Sequence, residues 1–107
     1  MQRVAFRLTI KPGKQAEYRA AHTEVWPELL ADLTAAGYRN YSIFADDRDL
    51  FGYLECDDWD ASQRAMATSD ANHRWQAYMA DYLETPVDPE GRTGLLEMDQ
   101  VFFLAGS

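Results

Sequence analysis

What most constrains this chain is the order in which its hydrophobic period changes along the sequence. In residues 3–10, Val4, Phe6, Leu8 and Ile10 share one face, and Ala5, Arg7 and Thr9 the other. That is the period of a half-buried strand. Lys11-Pro12-Gly13 breaks it. From about Pro12 to Ala36 the spacing lengthens: Tyr18, His22, Val25/Trp26, Leu29 and Leu33 recur every three or four residues, as on a helix. Pro12 suits a helix start. Pro27 removes a backbone donor and clashes with the preceding turn, which predicts a kink or restart near Trp26. Gly37 is a helix stop. Residues 39–45 and 50–56 alternate again, and the polar turn Asp46–Asp49 between them predicts a hairpin. Residues 58–67 and 70–83 read as helical, with Ser69 or Asp70 as a cap between them. Residues 85–91 have the chemistry of an irregular loop, and 95–104 read as a last strand.

The order β-α-β-β-α-β is the split βαβ, or ferredoxin-like, arrangement of the α+β class. It predicts a four-stranded antiparallel sheet with two helices on one face. At 107 residues the whole chain, 1–107, makes one domain. Both alternating sets of the strands carry large apolar residues: Phe51 and Tyr53 against Leu50 and Leu54, Phe102 and Leu104 against Val101 and Phe103. A sheet covered on one face only would leave one set wet. This predicts a homodimer in which two sheets meet face to face or close into a dimeric α/β barrel.

Composition excludes some partners. A net charge of −8 argues against nucleic acid and against an anionic membrane surface. No window approaches the length of a membrane helix, and Met1–Val4 runs into the first strand with no apolar leader. The expected location is cytoplasmic. The single cysteine, Cys56, offers neither an internal disulfide nor a thiolate cluster, and reads as a small buried strand residue.

Dinucleotide, P-loop, zincin and serine-hydrolase motifs are all lacking. The two histidines, His22 and His73, have no spacing that suggests a metal. Tyr18, His22 and Trp26 lie at i, i+4 and i+8, on one helical face. His22 is either a satisfied core histidine or a general acid/base, since histidine alone titrates near neutrality unperturbed. Tyr18 is either core or a hydroxyl for a substrate. Arg74-Trp75-Gln76 with Tyr78 is the second constellation. Trp75 serves either as core or as a flat platform with an N–H donor. Gln76, with both donor and acceptor, suits sugar recognition or a solvated helix surface. Tyr41 shares a face with Ile43, as interfacial core or as a pocket hydroxyl. The carboxylates from Asp46 to Asp60 read as a solvated turn and helix start.

Taken in order, these residues resemble the L-rhamnose mutarotases, small dimeric ferredoxin-like enzymes. The resemblance runs through Ala5-Phe6, Glu17-Tyr18-Arg19, His22, Trp26-Pro27-Glu28-Leu29, Asn40-Tyr41, Thr68-Ser69-Asp70 with Arg74-Trp75, and Gln100-Val101-Phe102, nearly the whole chain. It implies interconversion of the α and β anomers of L-rhamnose, or of a close 6-deoxy aldose. No cofactor and no metal are needed for that chemistry. It implies that His22 is the proton donor and that Tyr18, Tyr41 and the aromatic pair of the second helix bind the sugar. Trp75 stands at the first position of that pair. Gln76 stands where the family often has a second tryptophan, which leaves the pocket more polar. Two rival readings share the architecture: a cofactor-free oxygenase or haem-handling enzyme, and a non-catalytic sugar-binding module.

Overall fold

The computed structural model describes residues 1–84 and 96–106. The chain runs β1 (Gln2–Thr9), α1 (Gln15–Ala21), α2 (Pro27–Ala35), β2 (Arg39–Asp46), β3 (Asp49–Cys56), α3 (Trp59–Ala67), α4 (Asp70–Met79) and β4 (Leu96–Met98). The strands form one antiparallel sheet in the order β2-β3-β1-β4. The alternation over 3–10 and the 39–56 hairpin thus have their counterparts. The loop expected over 85–91 lies outside the described residues.

The kink or restart expected near Trp26 is a restart, so two helices stand in 12–36, and the first begins at Gln15 rather than at the expected Pro12. Proline has no N–H to give, so Pro27 takes the first position of α2, where none is needed. Trp26 before it is extended (φ −61°, ψ 133°), as a residue preceding proline must be. The helix therefore restarts, and residues 22–26 form the corner between its halves. The 70–83 helix also ends early, at Met79. Beyond it the Lys11 N–H donates to the Tyr82 carbonyl and the Glu84 N–H donates to the Thr9 carbonyl. Leu83, expected to be helical, instead bridges Ile10 and is buried with it. The last strand, expected over 95–104, spans only Leu96–Met98 among the described residues. Asp99, a poor strand former, follows it directly. In place of ladder bonds, the Arg3 guanidinium lies 3.6 Å over the Phe103 ring.

Caps begin the later helices. Asp58 accepts from the Ala61 N–H ahead of α3, and Ser69 accepts from the Asn72 N–H ahead of α4. Ser69 Oγ also donates to Asp32 at 2.6 Å, tying α4 to α2. Ser62 Oγ donates to the Ala36 carbonyl at 2.7 Å, tying α3 to the end of α2.

The core lies between the helices and one sheet face. Val4, Phe6, Leu50, Leu54 and Cys56 point inward, and Tyr18, Ala21, Leu29, Met66, Trp75 and Met79 pack over them. Gly52 faces Phe6 across the ladder. A Cβ at Gly52 would come within 2.2 Å of the Phe6 ring, so the ring occupies the space that a side chain would take. The outer face carries Phe44, Phe51, Arg7 and Leu96 in one row and Ser42, Tyr53, Ala5 and Met98 in the next. Phe44 there is 61% exposed and Leu96 52%.

Candidate active site

The early end of α1 positions His22. Its backbone N–H donates to the Arg19 carbonyl, three residues back. This tightened last turn leaves the Tyr18 carbonyl without its usual helical donor. The His22 ring supplies one: Nδ1 lies 2.9 Å from the Tyr18 oxygen. A carbonyl only accepts, so Nδ1 carries the proton and Nε2 remains for exchange. The Tyr18 ring lies beneath the imidazole, with centroids 4.2 Å apart. The Trp75 ring meets it edge-on at 5.3 Å. The imidazole is therefore held by a hydrogen bond and two aromatic contacts.

His22 stands on the wall of a cavity of about 360 Å³, within the range of small-molecule sites. Val25, Leu29, Leu33, Ile43, Met66 and Trp75 supply apolar surface, and Tyr38, Tyr41, Asn72 and Gln76 supply polar groups. Among the described residues no carboxylate lines it, and no group of three or more His, Cys, Asp or Glu could hold a metal ion.

The tyrosines reach the cavity through an irregularity in β2. Arg39 pairs with Glu55 and Ser42 with Tyr53, so β2 holds one residue more than β3 over this stretch. Asn40 takes up the difference at φ 49°, a conformation asparagine tolerates better than most side chains. Its Nδ2 donates to Glu55 at 2.7 Å. The bulge lets Tyr41 keep the same side as Ile43 while Arg39 pairs beyond it. Tyr38 and Tyr41 pack at 5.5 Å, and the Phe6 ring supports Tyr41 from below at 6.3 Å.

Burial raises all three neighbouring phenols. Tyr18 and Tyr38 are pushed up to about 12, Tyr38 also by the nearby Cys56 thiol. Tyr41 is pushed up further, first by burial and then by Tyr38 and Tyr18. These hydroxyls stay protonated at neutral pH and are available as hydrogen-bond donors.

The far wall comes from α4. Trp75 is almost wholly buried, and Trp26 meets it edge-on at 5.1 Å while stacking on Tyr78 at 6.0 Å. Gln76 follows, its Nε2 donating to Asn72 Oδ1 at 3.1 Å. The fold thus gathers His22, Tyr41, Trp75 and Gln76 around one cavity. It places Tyr18 under the imidazole rather than on the lining. The sequence reading missed Tyr38 and Asn72. Tyr38 follows the Gly37 helix stop and was readable as a strand-edge aromatic. Asn72 sits one turn before Gln76, so its i, i+4 spacing was the available signal.

A family model described as L-rhamnose mutarotase matches residues 3–104. The chain belongs to the L-rhamnose mutarotase family. A relative from Burkholderia orbicola (strain MC0-3), named L-rhamnose mutarotase, is 42% identical over 97% of this chain and 99% of its own length. One from Oceanobacillus iheyensis, with the same name, is 39% identical over 82% of this chain and 86% of its own. The crystal structure of an L-rhamnose mutarotase from Formosa agariphila superposes with a TM-score of 0.81 at 26% identity, covering 98% of this chain and 100% of that one. The family match spans every residue of the cavity wall.

Proposed function

We propose that this cavity interconverts the α and β anomers of L-rhamnose, making the chain an isomerase. The supporting observation is His22 on the cavity wall, with Nδ1 committed to the Tyr18 carbonyl, in a chain of the L-rhamnose mutarotase family. Mutarotation protonates the ring oxygen and removes the proton of the anomeric hydroxyl. The C1–ring-oxygen bond opens, the aldehyde end turns, and the ring closes on its other face. Protons move, but no electron pair leaves the sugar and no redox step occurs.

His22 is the catalytic acid and base in this reading, working through Nε2. Imidazole gives and takes protons near neutrality, and each positioned transfer contributes about 10²–10⁴-fold. The raised phenols stay un-ionised at that pH and so do not act as bases. Tyr41 donates to a sugar oxygen, and Tyr18 holds the imidazole from below and adds to the polar field around Tyr41. Trp75 gives a flat apolar surface for a sugar face, and Gln76 gives hydrogen bonds to hydroxyls.

The assembly belongs to the same proposal. Residues 1–107 act as one domain of ferredoxin-like topology, supported by the strand order β2-β3-β1-β4. Two copies pair through the outer sheet face, where Phe44, Phe51, Leu96 and Met98 are exposed. Among the described residues no helix is long and apolar enough to cross a membrane, and the proposed site of action is the cytoplasm.

The test is anomer exchange of L-rhamnose followed by saturation-difference NMR at the anomeric proton. Added protein accelerates it. Calorimetric sugar binding with unchanged exchange would instead make the chain a sugar-binding module.

A further inference from the structure

Asn72 and Gln76 form a relay whose direction is set by chemistry. Asn72 is 7% exposed, so its amide needs partners within the protein. Its Nδ2 lies 3.2 Å from the Met66 carbonyl. A carbonyl only accepts, so the NH₂ of Asn72 points there and its Oδ1 points the other way. Oδ1 lies 3.1 Å from Gln76, and an oxygen there requires a donor, so Gln76 turns its own NH₂ toward Asn72. The Gln76 Oε1 is then the amide atom left for the cavity that Gln76 lines. Ser69 secures the start of the relay, accepting from the Asn72 N–H at 3.0 Å while donating to Asp32.

We infer that Gln76 Oε1 is a fixed acceptor that selects a sugar hydroxyl, with Asn72 as the positioning residue that prevents the amide from turning over. This deepens the mutarotase reading and rests on it. A ligand seated on α4 must bring a donor to that point. A fluorine in place of the hydroxyl keeps the size but brings none.

The experiment uses L-rhamnose and its 2-, 3- and 4-deoxyfluoro analogues with the wild-type protein, Gln76→Met and Asn72→Ala. Exchange is read as kcat/KM by saturation transfer. One analogue loses about tenfold more with wild type than with Gln76→Met, because the lost bond is already absent in the variant. Comparing the two proteins cancels the effect of fluorine on the sugar itself. Asn72→Ala lowers the same discrimination while folding to the same far-UV spectrum. Equal fluorine effects in wild type and Gln76→Met for all three analogues overturn the inference. The relay is also read without sugar, from through-hydrogen-bond NMR couplings in labelled protein. A coupling from Gln76 Nε2 to Asn72 Cγ supports it, and one from Asn72 Nδ2 to Gln76 Cδ overturns it. Failure of the wild type to accelerate L-rhamnose exchange contradicts the mutarotase reading alone, and the NMR couplings then decide the relay.

Discussion

The Nδ1 of His22 lies 2.9 Å from the backbone carbonyl of Tyr18, one helical turn before it. The bond exists because α1 tightens at its end and frees that carbonyl. A backbone feature thereby sets the tautomer of the side chain proposed to move protons. In the neutral ring Nδ1 holds the hydrogen, and ¹⁵N spectra of the histidine side chains show Nε2 as the unprotonated nitrogen. A ring protonated at Nε2 instead would contradict this arrangement.

Gly52→Ala tests the support beneath Tyr41. The new methyl group would meet the buried Phe6 ring at 2.2 Å, so the ring must shift. The expected cost is about 1–3 kcal/mol by denaturant unfolding. Phe6 also supports Tyr41, so KM for the sugar rises with it. Unchanged stability would show that the ring moves freely.

The raised tyrosines predict an alkaline limit to stability. Tyr18 and Tyr38 ionise near 10.0 when unfolded and near 12 when folded, chiefly because burial disfavours the phenolate. Their contribution is whole below pH 10 and is lost as pH rises from 10 to 12. In that window each weakens the fold by about 1.4 kcal/mol per pH unit. The denaturant midpoint falls there, and Tyr38→Phe makes the fall shallower. A midpoint level between pH 10 and 12 would contradict the burial argument.

The outer sheet face predicts the assembly. Phe44 and Phe51 are cross-strand partners with rings 6.3 Å apart, and both are exposed. The double substitution Phe44→Glu with Phe51→Glu places like charges on that face. Sedimentation at micromolar concentration shows a dimer for wild type and a monomer for the variant. A monomeric wild type would defeat the paired-sheet proposal.

The alternating strands and the hairpin were legible in the sequence because period and face follow directly from the apolar positions. Pro27 signalled a kink or restart near Trp26, and the restart falls at Pro27 itself; that two separate helices result depended on how the corner at 22–26 packed. The truncated α4 and β4 were less legible: Leu83 is drawn into pairing with Ile10, and Phe103 is held by Arg3. Both are tertiary choices that periodicity does not encode. Tyr18, His22, Tyr41, Trp75 and Gln76 were singled out by residue type and spacing, and of these Tyr18 lies under the imidazole rather than on the cavity wall. Tyr38 and Asn72 were missed because one reaches the cavity through a bulge and the other acts through a neighbour.

The most direct test of the central claim compares wild type with His22→Ala in α/β exchange of L-rhamnose, by saturation-difference NMR at the anomeric proton. Wild type accelerates the exchange, and His22→Ala lowers that acceleration at least about tenfold with an unchanged far-UV spectrum. No acceleration by wild type, or an equal rate in the folded variant, would contradict the account.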